Sequence, residues 1–213
     1  METVKKTGQF LPVLPLKNVV ALPKSIIPVI VGRPLSVKAV EYALKQKKEI
    51  FVTAQKSIDT EKPTEKDIYS KGTRAIILQV AKMPNGALKI LIEGIARAEI
   101  TEVLHTSEFI GVLAKDTPSI QPAKKLEQQA LWRNLYTLFK TYIKANPAIS
   151  GDLLKTLKGP EDLDYLTDTI SVQLNLNFKE RQHILETTDL KQRSIRLSAL
   201  IQDELEILKT EKT

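Results

Sequence analysis

The amino-acid sequence predicts an α+β protein: a small curled sheet or partial barrel with one embedded helix, followed by a bundle of helices. Three observations carry this. Up to about Pro118 the chain is a series of short Val/Ile/Leu-rich runs separated by turn residues. Beyond it, apolar residues recur at helical spacing. Between the two patterns lies Asp116-Thr117-Pro118-Ser119-Ile120-Gln121-Pro122, whose two prolines punctuate the chain. The expected organisation is therefore a β-rich subdomain over 1–118 and an α-helical one over 119–213.

The elements follow in order. Leu11 to Arg33 holds Pro12, Pro15, Pro23 and Pro28 within an otherwise strand-like run. Proline fixes φ and removes a ladder donor, so it is confined to strand edges, strand starts and bulges. The run reads as two short strands, 10–16 and 26–31, joined by a kinked connection. A helix is expected over 36–47, with Val37, Val40, Ala43 and Leu44 on its buried face. Residues 50–53 form a short buried strand, and the polar stretch 55–72, with Pro63 inside it, is expected to be an exposed, mobile loop. Strands at 75–82 and 88–93 flank Met83-Pro84-Asn85-Gly86, where Asn and Gly tolerate the positive φ of a hairpin turn. Strands at 96–104 and 109–115 complete this half, and Gly94 marks a bulge or a close backbone approach.

In the second half, 123–145 places Leu126, Ala130, Leu131, Leu135, Leu138, Phe139, Tyr142 and Ile143 on one helical face. Asn146-Pro147 stops that helix. Shorter helices are expected at 152–157, from Pro160 with Leu163, Leu166 and Ile170 inward, and at 179–187. The last begins at Asp189, which can cap it while Gln192 reaches back. Its apolar stripe continues almost to Lys209-Thr210-Glu211-Lys212-Thr213 with no Gly or Pro stop, so a long, truncated helix is expected.

Composition narrows the function classes. Hydrophobic content of 42% and charged content of 27% are ordinary for a soluble globular protein. The absence of cysteine excludes disulfides and thiolate metal sites. The opening METVKKTGQF holds no apolar signal segment, and no run approaches the ~20 apolar residues of a membrane span, so a cytoplasmic protein without a membrane partner is expected. The net charge of +7 admits an anionic partner. The lysines are dispersed, however, and the densest cluster, Lys45-Gln46-Lys47-Lys48, lies at a helix end where cations favour the dipole.

Two segments carry a family resemblance. Pro15-Leu16-Lys17-Asn18-Val19-Val20, then Pro23, then Pro28-Val29-Ile30-Val31-Gly32-Arg33 resembles the opening of the N-terminal domain of the Lon family of ATP-dependent proteases. Leu91-Ile92-Glu93-Gly94-Ile95-Ala96-Arg97-Ala98 resembles a further segment of that domain. The resemblance is specific over the first ninety or so residues and only a matter of pattern in the helical half. It implies a PUA-like β pseudo-barrel, and a final helix leading toward an ATPase module absent from this sequence. It implies a non-catalytic role: binding unfolded, damaged or tagged protein substrates in protein quality control and supporting a hexameric ring. ATP and Mg²⁺ would serve the parent's ATPase module, and the parent would be an ATP-dependent serine endopeptidase.

The residues themselves offer no chemistry. None of the eight glycines opens a G-x-x-x-x-G-K-[ST] phosphate loop, and no serine has a lysine placed to activate it. His105 and His183 stand in different halves without a second ligand at metal spacing. No catalytic residue, metal ligand or cofactor is therefore expected in this chain.

Binding surface remains. The proline-rich connection, with Val19, Val20, Leu22, Pro23, Ile26 and Ile27, is the candidate groove for extended polypeptide, the competing reading being that these residues fill the barrel core. The stripe Leu197, Leu200, Ile201, Leu205 and Leu208 is the candidate surface for assembly or a partner. Two other functions stay open: a basic PUA-like nucleic-acid-binding module and a stand-alone scaffolding domain. Scarce aromatics, 5% of residues, weigh against the first.

Overall fold

The structure, a computed structural model, describes residues 8–211. The chain is α+β and divides into two compact units, 1–118 and 119–213. The first unit runs β1 (Gln9–Leu16), β2 (Ile26–Val31), α1 (Pro34–Lys45), β3 (Glu49–Ala54), β4 (Lys71–Lys82), β5 (Leu88–His105) and β6 (Ile110–Asp116). Its six strands form one sheet in the order β2-β5-β4-β3-β1-β6, with β5 also paired to β6. The sheet therefore closes on itself. One side of the long β5 pairs with β4, while the other pairs with β2 over 88–93 and with β6 over 98–105. Irregularities at Arg74/Ala75, Ile77/Gln79 and Ile100/Glu102 bend the strands enough to allow this closure. β2 stands outside the closed ring, with β5 as its one strand partner among the described residues.

This arrangement explains the prolines. β1 sits within the sheet, which a strand with two prolines should not do, but it changes neighbours halfway. Residues 9–12 pair with β6 and residues 13–16 pair with β3, in parallel. Each half is an edge on its other side, so Pro12 and Pro15 cost no ladder bond there. Pro28 lies on the edge strand β2, opposite Leu91. The alternation of β2 puts Ile26, Pro28 and Ile30 outward and Val31 into the core, with Ile27 and Val29 half-buried against it.

α1 begins two residues earlier than its apolar pattern suggests, because Pro34 occupies its first turn, where the missing N–H has no intrahelical acceptor anyway. Ser36, Ala39, Val40 and Ala43 form its buried side, which packs with Leu14, Ile50, Val52 and Ile92. A second apolar cluster joins Leu11, Val13, Phe51, Ile68 and Val112.

The polar stretch after β3 differs from the expected free loop. Gln55 pairs with Ile68 as an isolated bridge, Lys56 N–H donates to Asp67 O at 2.8 Å, and a 3₁₀ turn at Glu65–Asp67 is closed by Thr64 and Asp67. Ile68 and Pro63 are buried. Two apolar anchors in an otherwise polar stretch thus fasten it to the barrel.

The second unit consists of α2 (Lys125–Ala145), 3₁₀ turns at Gly151–Thr156 and Pro160–Asp162, α3 (Leu163–Gln173), α4 (Phe178–Glu186) and α5 (Leu190–Glu211). Leu135, Phe139, Tyr142, Leu163, Leu166 and Ile170 pack with Ile184, Leu190, Leu197 and Ile201. Leu126 departs from the expected face: it lies in the first turn of α2 and is 78% exposed. Asp189 caps α5, its Oδ1 accepting from Gln192 N–H at 3.0 Å. Arg193 is buried within this unit. It donates to Asp164 Oδ1 at 2.7 Å, Thr167 Oγ1 at 3.1 Å, Ser119 Oγ at 3.1 Å and the Thr187 carbonyl at 2.8 Å.

Candidate functional site

Two adjoining clefts open on the first unit, where the end of β1, the edge of β2 and the start of α1 meet. The first, about 450 Å³, lies between residues 14–17 and residues 28–33, with Val19 and Glu61 on its rim. The second, about 360 Å³, is walled by Val13, Leu35, Pro63 and Ile110. Pro15, Arg33, Ser36 and Glu61 line both, so the two form one trough with Arg33 at its middle.

The local fold places Arg33 there. Val31 anchors the end of β2 in the core, and Gly32 and Arg33 turn the chain into α1. The guanidinium is held by two neutral acceptors: Nη2 donates to the Pro15 carbonyl at 2.7 Å and Nη1 to Gln55 Oε1. Gln55 is buried, and its Nε2 donates to the carbonyls of Thr60 at 2.9 Å and Ser57 at 3.2 Å. One buried amide thus orients Arg33 and holds residues 57–60. Burial lowers the Arg33 guanidinium from its ordinary value, the charge of Glu61 opposing that shift.

Lys17 and Glu61 pair across the rim at 2.5 Å. The Glu61 carboxyl is held below the usual carboxylate range, first by the hydrogen bond from Lys17 and then by its charge, with Arg33 adding to the pull. A carboxyl depressed in the folded state contributes stability above its ordinary value and loses it as pH falls through the depressed one. Amide protection at residues 57–62 is therefore expected to fall, modestly for so exposed a pair, as pH drops below the ordinary carboxylate range, relative to the strands, and Glu61→Gln should reproduce the loss at pH 7. Protection unchanged by both treatments would contradict the clip.

The sequence-predicted groove is only partly here. Val19 lines the first cleft, and Ile26, 56% exposed, sits on the outer face of β2. Val20, Leu22 and Pro23 are buried, and Ile27 packs half-buried on the barrel core. The connection turns inward because it is clamped to β5, with Lys24 N–H donating to Gly94 O and Gly94 N–H to Ser25 O, both at 2.9 Å. For these residues, the core reading replaces the groove reading. Two residues of the final stripe are likewise core. Leu197 and Ile201 are fully buried in the helical core, and Leu200, Leu205 and Leu208 pack half-buried against it. The sequence reading missed Lys17, Arg33, Ser36, Gln55 and Glu61 as a group. The available signal was a helix that starts Arg-Pro with no acidic residue in its first turn.

Among the described residues no group of three or more His, Cys, Asp or Glu could hold a metal ion. None of the helices searched is long and apolar enough to cross a membrane.

Comparison with known proteins gives this geometry a setting. The family model for the ATP-dependent protease La (LON) substrate-binding domain matches residues 10–203. The chain belongs to that family. As a Lon substrate-binding domain it is 37% identical over 210 residues to the Lon protease of Halothermothrix orenii, covering 98% of this chain and 27% of that protein. It is 36% identical over 204 residues to the Lon protease of Escherichia coli K12, covering 95% of this chain and 26% of that protein. The chain thus spans about a quarter of the length of these relatives. The N-terminal domain of Mycobacterium avium complex Lon protease shares the fold, with a TM-score of 0.75 at 21% identity, over 92% of this chain and 99% of that one. A Lon N-terminal domain protein from Xanthomonas campestris gives 0.62 at 16% identity, over 90% and 98%.

Proposed function

We propose that this Lon substrate-binding domain receives unfolded or damaged polypeptide for an ATP-dependent serine protease whose ATPase and peptidase modules lie outside this sequence. Membership of the substrate-binding family is the observation that carries the reading. The trough adds a physical basis. It has apolar walls and is lined along one side by residues of the edge strand β2, where an extended chain finds both apolar contacts and backbone partners. A folded protein has already buried the segments that would enter it.

Weak contacts of this kind gain avidity when several copies face one client, which suits work in a hexameric, cytoplasmic ring. The sequence has no glycine-rich Gly-Lys-Ser/Thr loop, and in this reading ATP and Mg²⁺ serve the parent's ATPase module. Any such group would be bound elsewhere in the parent.

The test is binding of the 213-residue chain to a fluorescent, permanently unfolded protein, and in parallel to single-stranded RNA, at low and moderate salt. Binding to the unfolded protein that persists at moderate salt is expected. Binding to RNA alone, collapsing as salt rises, would replace this reading with that of a basic nucleic-acid module.

A further inference from the structure

The middle of the trough is built to receive a carboxylate. α1 begins there with no side-chain cap and no acidic residue in its first turn. Pro34 has no N–H to offer, so the N–H groups of Leu35 and Ser36 are the unsatisfied donors at this positive helix end. A helix N-terminus alone would be weak ground, but Ser36 supplies a second observation. Its side chain lines both clefts and is only 4% exposed, and its hydroxyl has no hydrogen-bond partner among the described residues. The hydroxyl oxygen is not among the sealed, unsatisfied polar atoms and stays reachable from the trough, where a ligand can hydrogen-bond to it.

The charges agree. Lys17, Arg33 and Lys62 line the trough against Glu61 as its one carboxylate. Glu61 is occupied by Lys17. Arg33 has only the neutral Gln55 and Pro15 oxygens as hydrogen-bond acceptors, so it stands as a fixed, half-buried cation beside the uncapped helix end, its charge opposed only at longer range by the Glu61 that Lys17 already holds.

Shape selects the source of the carboxylate. Apolar walls continue on both sides of the Arg33 and Ser36 junction: Val19, Val29 and Ile30 on one side, and Val13, Leu35 and Ile110 on the other. A chain ending in its own carboxylate at the junction would fill one cleft and leave the other empty. A segment running through fills both and presents a side chain at the middle. We infer that the trough selects extended client segments with an internal Asp or Glu flanked by apolar residues, its carboxylate bound by Arg33, the Ser36 hydroxyl and the first turn of α1.

This inference rests on the receptor reading above, and the experiment separates the two. Fluorescence anisotropy would compare two labelled peptides, acetylated and amidated at their ends, of alternating apolar sequence with a central Glu or, in the second, Gln. The Glu peptide is expected to bind the native chain about tenfold more tightly, the size of one charge-assisted hydrogen bond. Ser36→Ala removes a hydroxyl that has no hydrogen-bond partner among the described residues, so folding should persist. It should weaken the Glu peptide about threefold while leaving the Gln peptide unchanged. Arg33→Gln should abolish the discrimination. Equal binding of the two peptides, or no binding of the Glu peptide, overturns the inference. If the unfolded protein still binds in either case, the receptor reading survives; if it too fails to bind, both fall.

Discussion

Replacing Arg193 by Met is expected to destabilise the chain by about 3–5 kcal/mol, the characteristic cost of removing one partner from a buried ion pair. The Arg193 side chain is fully buried, and its Nη1 lies 2.7 Å from Asp164 Oδ1 and 3.8 Å from Asp168 Oδ1. The Asp168 side chain is only 2% exposed, so without the guanidinium its charge has no access to water. Arg193 also holds together three parts of the helical unit: Ser119 before α2, Thr187 before α5, and α3 through Asp164 and Thr167. Met fills much of the volume and offers no donor. Lys restores the charge as a single point without the planar fork, so Arg193→Lys should recover part of the loss only. Denaturant unfolding followed by circular dichroism measures both. A loss for Arg193→Met below about 1 kcal/mol would show that the network is incidental to stability.

Gly94→Ala is the second large effect, expected at about 1–3 kcal/mol from overpacking. A Cβ at this position would lie 2.3 Å from the Leu22 carbonyl oxygen and 3.1 Å from its carbon, and both are backbone atoms. No rotamer change relieves such a clash. The neighbouring chain cannot retreat either, because two backbone hydrogen bonds fasten Lys24 and Ser25 to Gly94 itself. Gly151→Ala is the control: a Cβ there meets nothing within 4 Å, so the change should be neutral or slightly stabilising through the unfolded state. Equal effects of the two substitutions on the denaturation midpoint would remove the steric account of the Gly94 contact. Since Leu22–Ser25 leads directly into β2, Gly94→Ala should also disturb the trough.

The two halves, the hairpin at Asn85-Gly86 and the capped start of α5 were legible in the sequence because each depends on local rules. Hairpin turns require positive φ, and Gly86 has it at 84°. Asp189 needs only the N–H three residues on. What escaped reading depends on pairing at a distance. The two prolines of β1 read as edge signals, and the structure satisfies that rule by an exchange of neighbours that no local pattern announces. Leu22 and Ile27 were visibly apolar, but an apolar run does not say which surface will cover it. Here Gly94, seventy residues away, decided that it would be the core. Arg193 was hidden for a different reason. On an amphipathic helix an arginine reads as solvent-facing, and its burial follows from Asp164 and Asp168 arriving on another helix. The trough was legible only as fragments: Val19 lies in the proline-rich connection, while the Gln55 that orients Arg33 sits at the start of a stretch whose polarity suggested a free loop.

The central claim, that this domain receives polypeptide in its unfolded form, is tested most directly with one client in two states. The measurement is the affinity of the chain for a single destabilised protein, once folded by a bound ligand and once unfolded without it, the sequence being identical in both. The account predicts clear binding to the unfolded form and at least about tenfold weaker binding to the folded one. Equal affinity for the two forms would mean that the chain recognises a folded surface, and would contradict the account.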